Sequence, residues 1–128
     1  MAGLTVLDAS ILLAHFDDTD PHAEDARAVL ADADELAAST ITLAEALVGA
    51  AAAGRLEEQL QAIADLEIIE VPLAQGAAAT LARLRVETGL RMPDCCVLYA
   101  AAVTSADAVA TRDDRLQRAA SARGLDTP

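Results

Sequence analysis

Apolar residues recur along the chain in two alternating rhythms: short unbroken runs, and longer stretches in which they return every three or four positions. The first short run, Leu4–Leu7, predicts a buried strand, with a helix over 9–15 starting directly after Asp8. Asp20-Pro21 reads as an N-cap followed by proline at the first helical position, opening a helix through Ala26, Val29 and Leu30. Residues 36–38 suggest a short strand. Residues 39–53 place Ile41, Ala44, Leu47 and Val48 at helical spacing and end near Gly54. A further helix over 55–66 leads to a strand over 67–71, stopped by Pro72. A helix over 73–88 carries Leu81 and Leu84 and closes at Gly89. Pro93-Asp94 opens a helix over 95–105, Ala108–Ala110 forms a last strand, and a helix over 113–123 ends the pattern. This alternation implies an α/β fold, a single domain over 1–128 with a small, mainly parallel central sheet flanked by helices. In such folds the ligand site lies beyond the carboxyl ends of the strands.

Length agrees with that reading, since 128 residues suffice for one core and are too few for two. Charge removes several functions. The net charge is −12 and all nine basic residues are arginines, so a phosphate-binding P-loop and Schiff-base chemistry both lack their lysine. An acidic chain is a poor non-specific binder of nucleic acid, so any such role must act locally, through a few arginines and a metal or through a basic partner. The only aromatic side chains are Phe16 and Tyr99, too few for base-stacking platforms. Cys95 and Cys96 are neighbours in sequence, which disfavours a structural disulfide between them and fits a reducing compartment. No basic residue precedes the first apolar run, and no run is long enough to span a membrane, so a cytoplasmic protein is expected.

The candidate chemistry lies in four acids. Asp8 and Asp113 follow predicted strands, Asp94 sits in a helix's first turn, and Glu45 lies two turns into a helix that follows a strand. An isolated carboxylate among apolar groups is unfavourable, whereas several converging carboxylates suit a hard divalent cation. Each acid also has a plainer use. Asp8 can serve only as an N-cap, Asp94 only to complement a helix dipole, Glu45 as a solvated edge residue, and Asp113 or Asp114 as first-turn surface acids. Arg112 and Arg115 suit either RNA phosphates or an ion pair with Asp107, Asp113 or Asp114, and the same applies to Arg83, Arg85 and Arg91. His22 with Cys95 and Cys96 lacks the ligand spacing of a zinc site. Asp17, Asp18 and Asp20 read as a solvated loop.

Leu-Asp-Ala-Ser (7–10), Thr-Leu-Ala-Glu-Ala-Leu (42–47), Met-Pro-Asp (92–94) and Ala-Thr-Arg-Asp-Asp-Arg-Leu (110–116) together resemble the four acidic motifs of PIN-domain ribonucleases, above all the VapC-type toxins of bacterial toxin–antitoxin pairs. The resemblance spans nearly the whole chain in order. It implies a PIN-like fold and a metal-dependent endoribonuclease, with Asp8, Glu45, Asp94 and Asp113 forming an acidic pocket for Mg²⁺, or Mn²⁺ as a substitute. Asp8 and Asp94 are the expected direct ligands, and Glu45 and Asp113 bind directly or through water. Ser10 and Thr111 match supporting hydroxyl positions, and Arg112 adjoins the last motif. Asp113 fits the Thr-x-Asp-x-x-apolar form best, with Asp114 and Asp107 as competitors for the fourth place. The partners implied are an RNA substrate, a cognate antitoxin, and a second copy in a homodimer and a toxin–antitoxin hetero-oligomer. The antitoxin is expected to lay an apolar segment between helices 40–53 and 55–66, with an arginine entering the pocket. Two other readings stand beside this one: a catalytically silent PIN-like interaction module, and an acid-pocket phosphohydrolase with Asp8 as nucleophile.

Overall fold

The computed structural model, which describes residues 3–128, holds four parallel strands, β1 (Leu4–Leu7), β2 (Glu35–Ser39), β3 (Ile68–Val71) and β4 (Ala108–Ala110). They lie in the order β3-β2-β1-β4, with Val6 opposite Ala37 on one side and Val109 on the other. The helices are α1 (Ala9–Phe16), α2 (Ala23–Asp32), α3 (Thr40–Ala52), α4 (Leu56–Asp65), α5 (Ala77–Thr88), α6 (Met92–Thr104) and α7 (Asp114–Ala122). The expected α/β fold is therefore present, and the sheet is wholly rather than mainly parallel.

Both faces of the sheet are covered, which is why the strands read as continuous apolar runs instead of alternating with polar residues. Val6, Ala37 and Val109 pack under α5, α6 and α7, against Leu84, Val97, Leu98 and Leu116. Leu7, Leu36, Ala38 and Ala110 pack on the other face against Ile11, Leu12, Leu30, Leu43 and Ile63 from α1 to α4. Helix α6 is buried without a break from Asp94 to Ala101. Small alanines let it lie close to the sheet, and they explain how an alanine-rich chain fills its core.

Two helices start later than the sequence suggests. Proline at 21 does not open α2; the Asp20 carboxylate accepts from the His22 N–H (2.8 Å) and its carbonyl accepts from the Ala23 N–H (3.1 Å), so a turn intervenes. Helix α5 begins at Ala77 rather than at 73, because Gly76 adopts φ 89° and so ends the preceding turn in a left-handed conformation. The Asp17–Asp20 run is the expected loop: Asp17 accepts from the Thr19 N–H and hydroxyl, which lowers its carboxyl below the usual range, and Asp18 pairs with Arg27.

The chain order places the crevice. From β1 the chain winds outward through β2 to β3, then crosses back to lay β4 on the opposite side of β1. The topological switch therefore falls between β1 and β4, and Asp8 and Thr111 immediately follow those two strands. Asp107 lies at the other edge, where its carboxylate accepts from the Leu4 N–H (2.9 Å). It sits so close to Gly3 that a Cβ there would meet its Oδ2 at 2.2 Å. That placement, at the opposite end of the strands from Asp8, favours a structural assignment for Asp107. We expect Asp107→Ala to destabilise the fold by about 1 kcal/mol, the scale of one exposed hydrogen bond, while calorimetric binding of a divalent cation stays unchanged; a loss of cation binding would contradict the assignment.

Candidate active site

Asp8 occupies the N-cap position of α1, yet its side chain makes no capping hydrogen bond. Its Oδ2 instead accepts from two hydroxyls, Ser10 Oγ and Thr111 Oγ1, each at 2.7 Å. The direction of both bonds is fixed from behind. Ser10 Oγ accepts from the Arg112 N–H (2.9 Å) and Thr111 Oγ1 from the Asp113 N–H (3.0 Å). Each hydroxyl is thus supplied with a backbone donor and turns its own hydrogen toward Asp8. The plain N-cap role for Asp8 is not what the geometry shows. Its carboxylate is buried and held in one orientation by both strands flanking the switch point.

Asp94 enters the same region from the first turn of α6, with its side chain only 8% exposed. Burial, then the negative charge of Asp8, pushes its carboxyl up, with Asp113 adding to the rise; Arg91 and Arg115 oppose it. Glu45 projects from α3, more open to solvent, and its carboxyl is raised by partial burial, then by Asp8, with Asp94 adding a smaller push against Arg91. The charge of Asp8 therefore reaches both Glu45 and Asp94, and that of Asp113 reaches Asp94. Asp113 has a second engagement, because it N-caps α7 by accepting from the Leu116 N–H (3.0 Å) and is half-buried, rather than being the first-turn surface acid of its plainer reading. Asp114, in the first turn of α7, is exposed.

The basic residues settle differently from expectation. Arg112 pairs with none of Asp107, Asp113 or Asp114; its guanidinium meets His22 Nδ1 (2.6 Å) and Asp25 (3.9 Å). Its backbone N–H is engaged by Ser10 Oγ, and its side chain lies against the start of α2, where His22 and Asp25 supply the partners. Arg91 reaches Asp94 at 3.7 Å, and Arg115 donates to the Gly89 carbonyl (3.1 Å). Sequence reading left His22 outside the site because it lies 90 residues from Arg112, and no local spacing signals such a contact.

The donors suit a hard divalent cation. They are all carboxylate and hydroxyl oxygens, and two of the carboxyls are raised partly by their neighbours' charge, a repulsion that a cation relieves. Among the described residues no three such side chains stand close enough together to hold an ion by themselves. Mg²⁺ does not require three, since it commonly keeps several waters and takes one or two carboxylates.

A wholly parallel α/β sheet with Asp8 and Asp113 after the two strands at its switch point, and Glu45 and Asp94 on α3 and α6, defines the class. The chain belongs to the PIN domain family, whose profile matches residues 5–122. Among solved structures it is similar to a toxin–antitoxin complex from Klebsiella pneumoniae, at 26% identity and TM-score 0.77, covering 97% of this chain and 97% of that one. It shares its fold with VapC20 of Mycobacterium tuberculosis, a sarcin–ricin loop cleaving toxin, at 14% identity and TM-score 0.74, over 95% and 96% of the two chains. The fold is also that of VapBC2 from Rickettsia felis bound to a promoter DNA fragment, at 18% identity and TM-score 0.67, over 98% and 97%. No curated protein sequence matches the chain.

Two outcomes follow from this geometry. Thr111→Val leaves the Asp113 N–H and Asp8 Oδ2 each short of a partner and should weaken divalent-cation binding about 10- to 100-fold by calorimetry, as lost supporting contacts do; Thr111→Ser should restore it. Asp94→Asn should raise the melting temperature of the metal-free protein at neutral pH by about 3 °C. The sign follows from linkage. A carboxyl raised by folding favours the folded state below its unfolded pKa, and that advantage is lost as pH rises through its folded pKa. The gain from Asp94→Asn should therefore vanish in acid and grow through the carboxylate range to a plateau; a variant less stable than wild type at neutral pH would refute the account.

Proposed function

We propose that the protein is a metal-dependent endoribonuclease, the toxin of a VapBC-type pair, working in the cytoplasm. The observation that carries this reading is the Asp8 carboxylate, which is withdrawn from helix capping and fixed by Ser10 and Thr111 opposite a buried Asp94. A structural acid has no need of that arrangement. Family membership and the likeness to solved toxin–antitoxin complexes support the same reading.

Asp8 and Asp94 would hold Mg²⁺ or Mn²⁺, with Glu45 and Asp113 contributing directly or through water. Such an ion would activate a water for in-line attack on an RNA phosphodiester and offset the charge developing on phosphorus and the leaving oxygen. Ser10 and Thr111 engage Asp8 Oδ2 and restrain its rotation, which leaves Oδ1 as the oxygen that would meet an ion. Glu45 or Asp113 would orient the water, and the raised carboxyl of the more solvated Glu45 favours it as the proton acceptor. Arg91 and Arg112 lie at the rim, where a substrate phosphate can replace their present partners, Asp94 and Asp25. The proposed partners are RNA, a second copy of the chain, and an antitoxin, the last supported by the likeness to a toxin–antitoxin complex.

Total RNA incubated with purified, partner-free protein tests this reading. Mg²⁺ or Mn²⁺ should yield discrete fragments, and chelator should abolish them. Asp94→Asn should slow cleavage at least 100-fold while the protein stays folded. Intact RNA from a folded, metal-loaded wild type would favour the silent interaction module instead.

A further inference from the structure

The arginines are not spread over the molecule. Residues 83–123 hold seven of the nine arginines and only five of the 21 acids, so this segment carries a surplus of two positive charges inside a chain of net charge −12. Folding concentrates them further. A groove of about 530 Å³ runs between the end of α5 and the face of α7, lined on one wall by Glu87, Thr88 and Leu90 and on the other by Arg115, Arg118 and Arg123.

The groove's inner end adjoins two of the acids, since Leu90 precedes Arg91, which reaches Asp94 at 3.7 Å, and Arg115 lies two residues after Asp113. Asp113, which caps the start of α7, and Arg115, in its first turn, both act electrostatically on Asp94. Gly89 closes α5 at φ 70°, a left-handed conformation that glycine adopts freely, and its carbonyl receives the Arg115 guanidinium, which pins the two walls together at the inner end. From there Arg118 and Arg123 follow along one face of α7, over roughly 10 Å of helix. Arg123 pairs with Glu87 at 3.1 Å, whereas Arg118 is exposed and has no acid within ion-pair distance among the described residues.

We infer that this groove carries the phosphodiester backbone of single-stranded RNA toward or away from the acid crevice, with Arg115 and Arg118 as its phosphate contacts. The inference rests on the ribonuclease reading and adds a path for the substrate. Arginine's planar fork pairs with phosphate oxygens, and an acidic protein can hold a polyanion only where its own field is locally reversed. The shortage of aromatic side chains points the same way, since contacts limited to the backbone hold RNA without reading its bases. Glu87 is the groove's one opposing charge, and it competes with phosphate for Arg123.

The test is binding of a labelled single-stranded RNA oligonucleotide to the full chain in chelator, across a salt series. Arg118→Glu should weaken binding about tenfold at low salt and lower the salt slope by about 0.7, the share of one phosphate contact on a single strand. Glu87→Gln should tighten binding several-fold, a gain that misfolding cannot mimic. Arg55→Glu on α4 makes the same change in net charge outside the groove and should bind as wild type does. Equal effects of Arg55→Glu and Arg118→Glu, or no response to Arg118→Glu and Glu87→Gln, would overturn the groove. So would undisturbed RNA binding by an Arg118→Glu protein that no longer assembles with its partner, since the groove would then belong to an acidic protein segment. Cleavage separates the two readings. If the ribonuclease reading fails, wild type cuts nothing yet binds RNA through the groove; if only the groove fails, wild type and Arg118→Glu cut long RNA with the same KM.

Discussion

The structure turns on a carboxylate taken out of its cheapest use. An aspartate between a strand and a helix would ordinarily accept from the helix's first N–H groups, a cap that stabilises by about 1 kcal/mol. Asp8 instead receives two hydroxyls, one from its own helix and one from the turn after β4. Those bonds tie the two strands on either side of the switch point at their carboxyl ends, where the backbone bond from the Asp8 N–H to the Ala110 carbonyl (2.9 Å) already extends their pairing. The same contacts that hold the fold together at this edge therefore fix the orientation of its most constrained acid.

Much of the fold was legible because it is local. Each strand was recognisable as an apolar run and most helices as a periodic one, and β1 and β4 fall where the pattern put them. The starts of α2 and α5 were not, because proline and glycine each permit more than one turn geometry and only the surrounding bonds decide. The four acids were legible as positions after strands or on the helices beside them, and the charge of Asp8 bears on Glu45 and Asp94. What the sequence could not convey was which of them carries a second, structural duty. Asp113 both caps α7 and faces Asp94, while Asp107 does only structural work at the opposite edge. The pairing of Arg112 with His22 and Asp25 depends on how α2 lies beside the β4–α7 turn, a tertiary fact without a local signal.

Stability and proposed function pull against each other at the crevice. Asp94 is buried among like charges that Arg91 and, to a smaller extent, Arg115 offset only in part, so its ionised form opposes folding. A fold selected for stability alone would place an apolar residue there, since α6 is otherwise apolar on every buried position from Cys95 to Ala101. Retaining the acid in that setting is what a cation site requires: the repulsion that weakens the metal-free protein becomes part of the affinity for an ion that removes it.

The same logic extends to the charge of the whole molecule. Fourteen surplus negative charges on residues outside 83–123 repel any polyanion over most of the surface, while the segment that supplies α5, α6, β4 and α7 reverses the field beside the crevice. Repulsion elsewhere makes the reversed region more selective, because a strand that slides off the groove meets unfavourable charge on the remaining surface. An acidic chain is thus compatible with a nucleic-acid substrate when its few cations are gathered beside the reacting groups. That arrangement also favours a strongly salt-dependent encounter limited to one face of the protein.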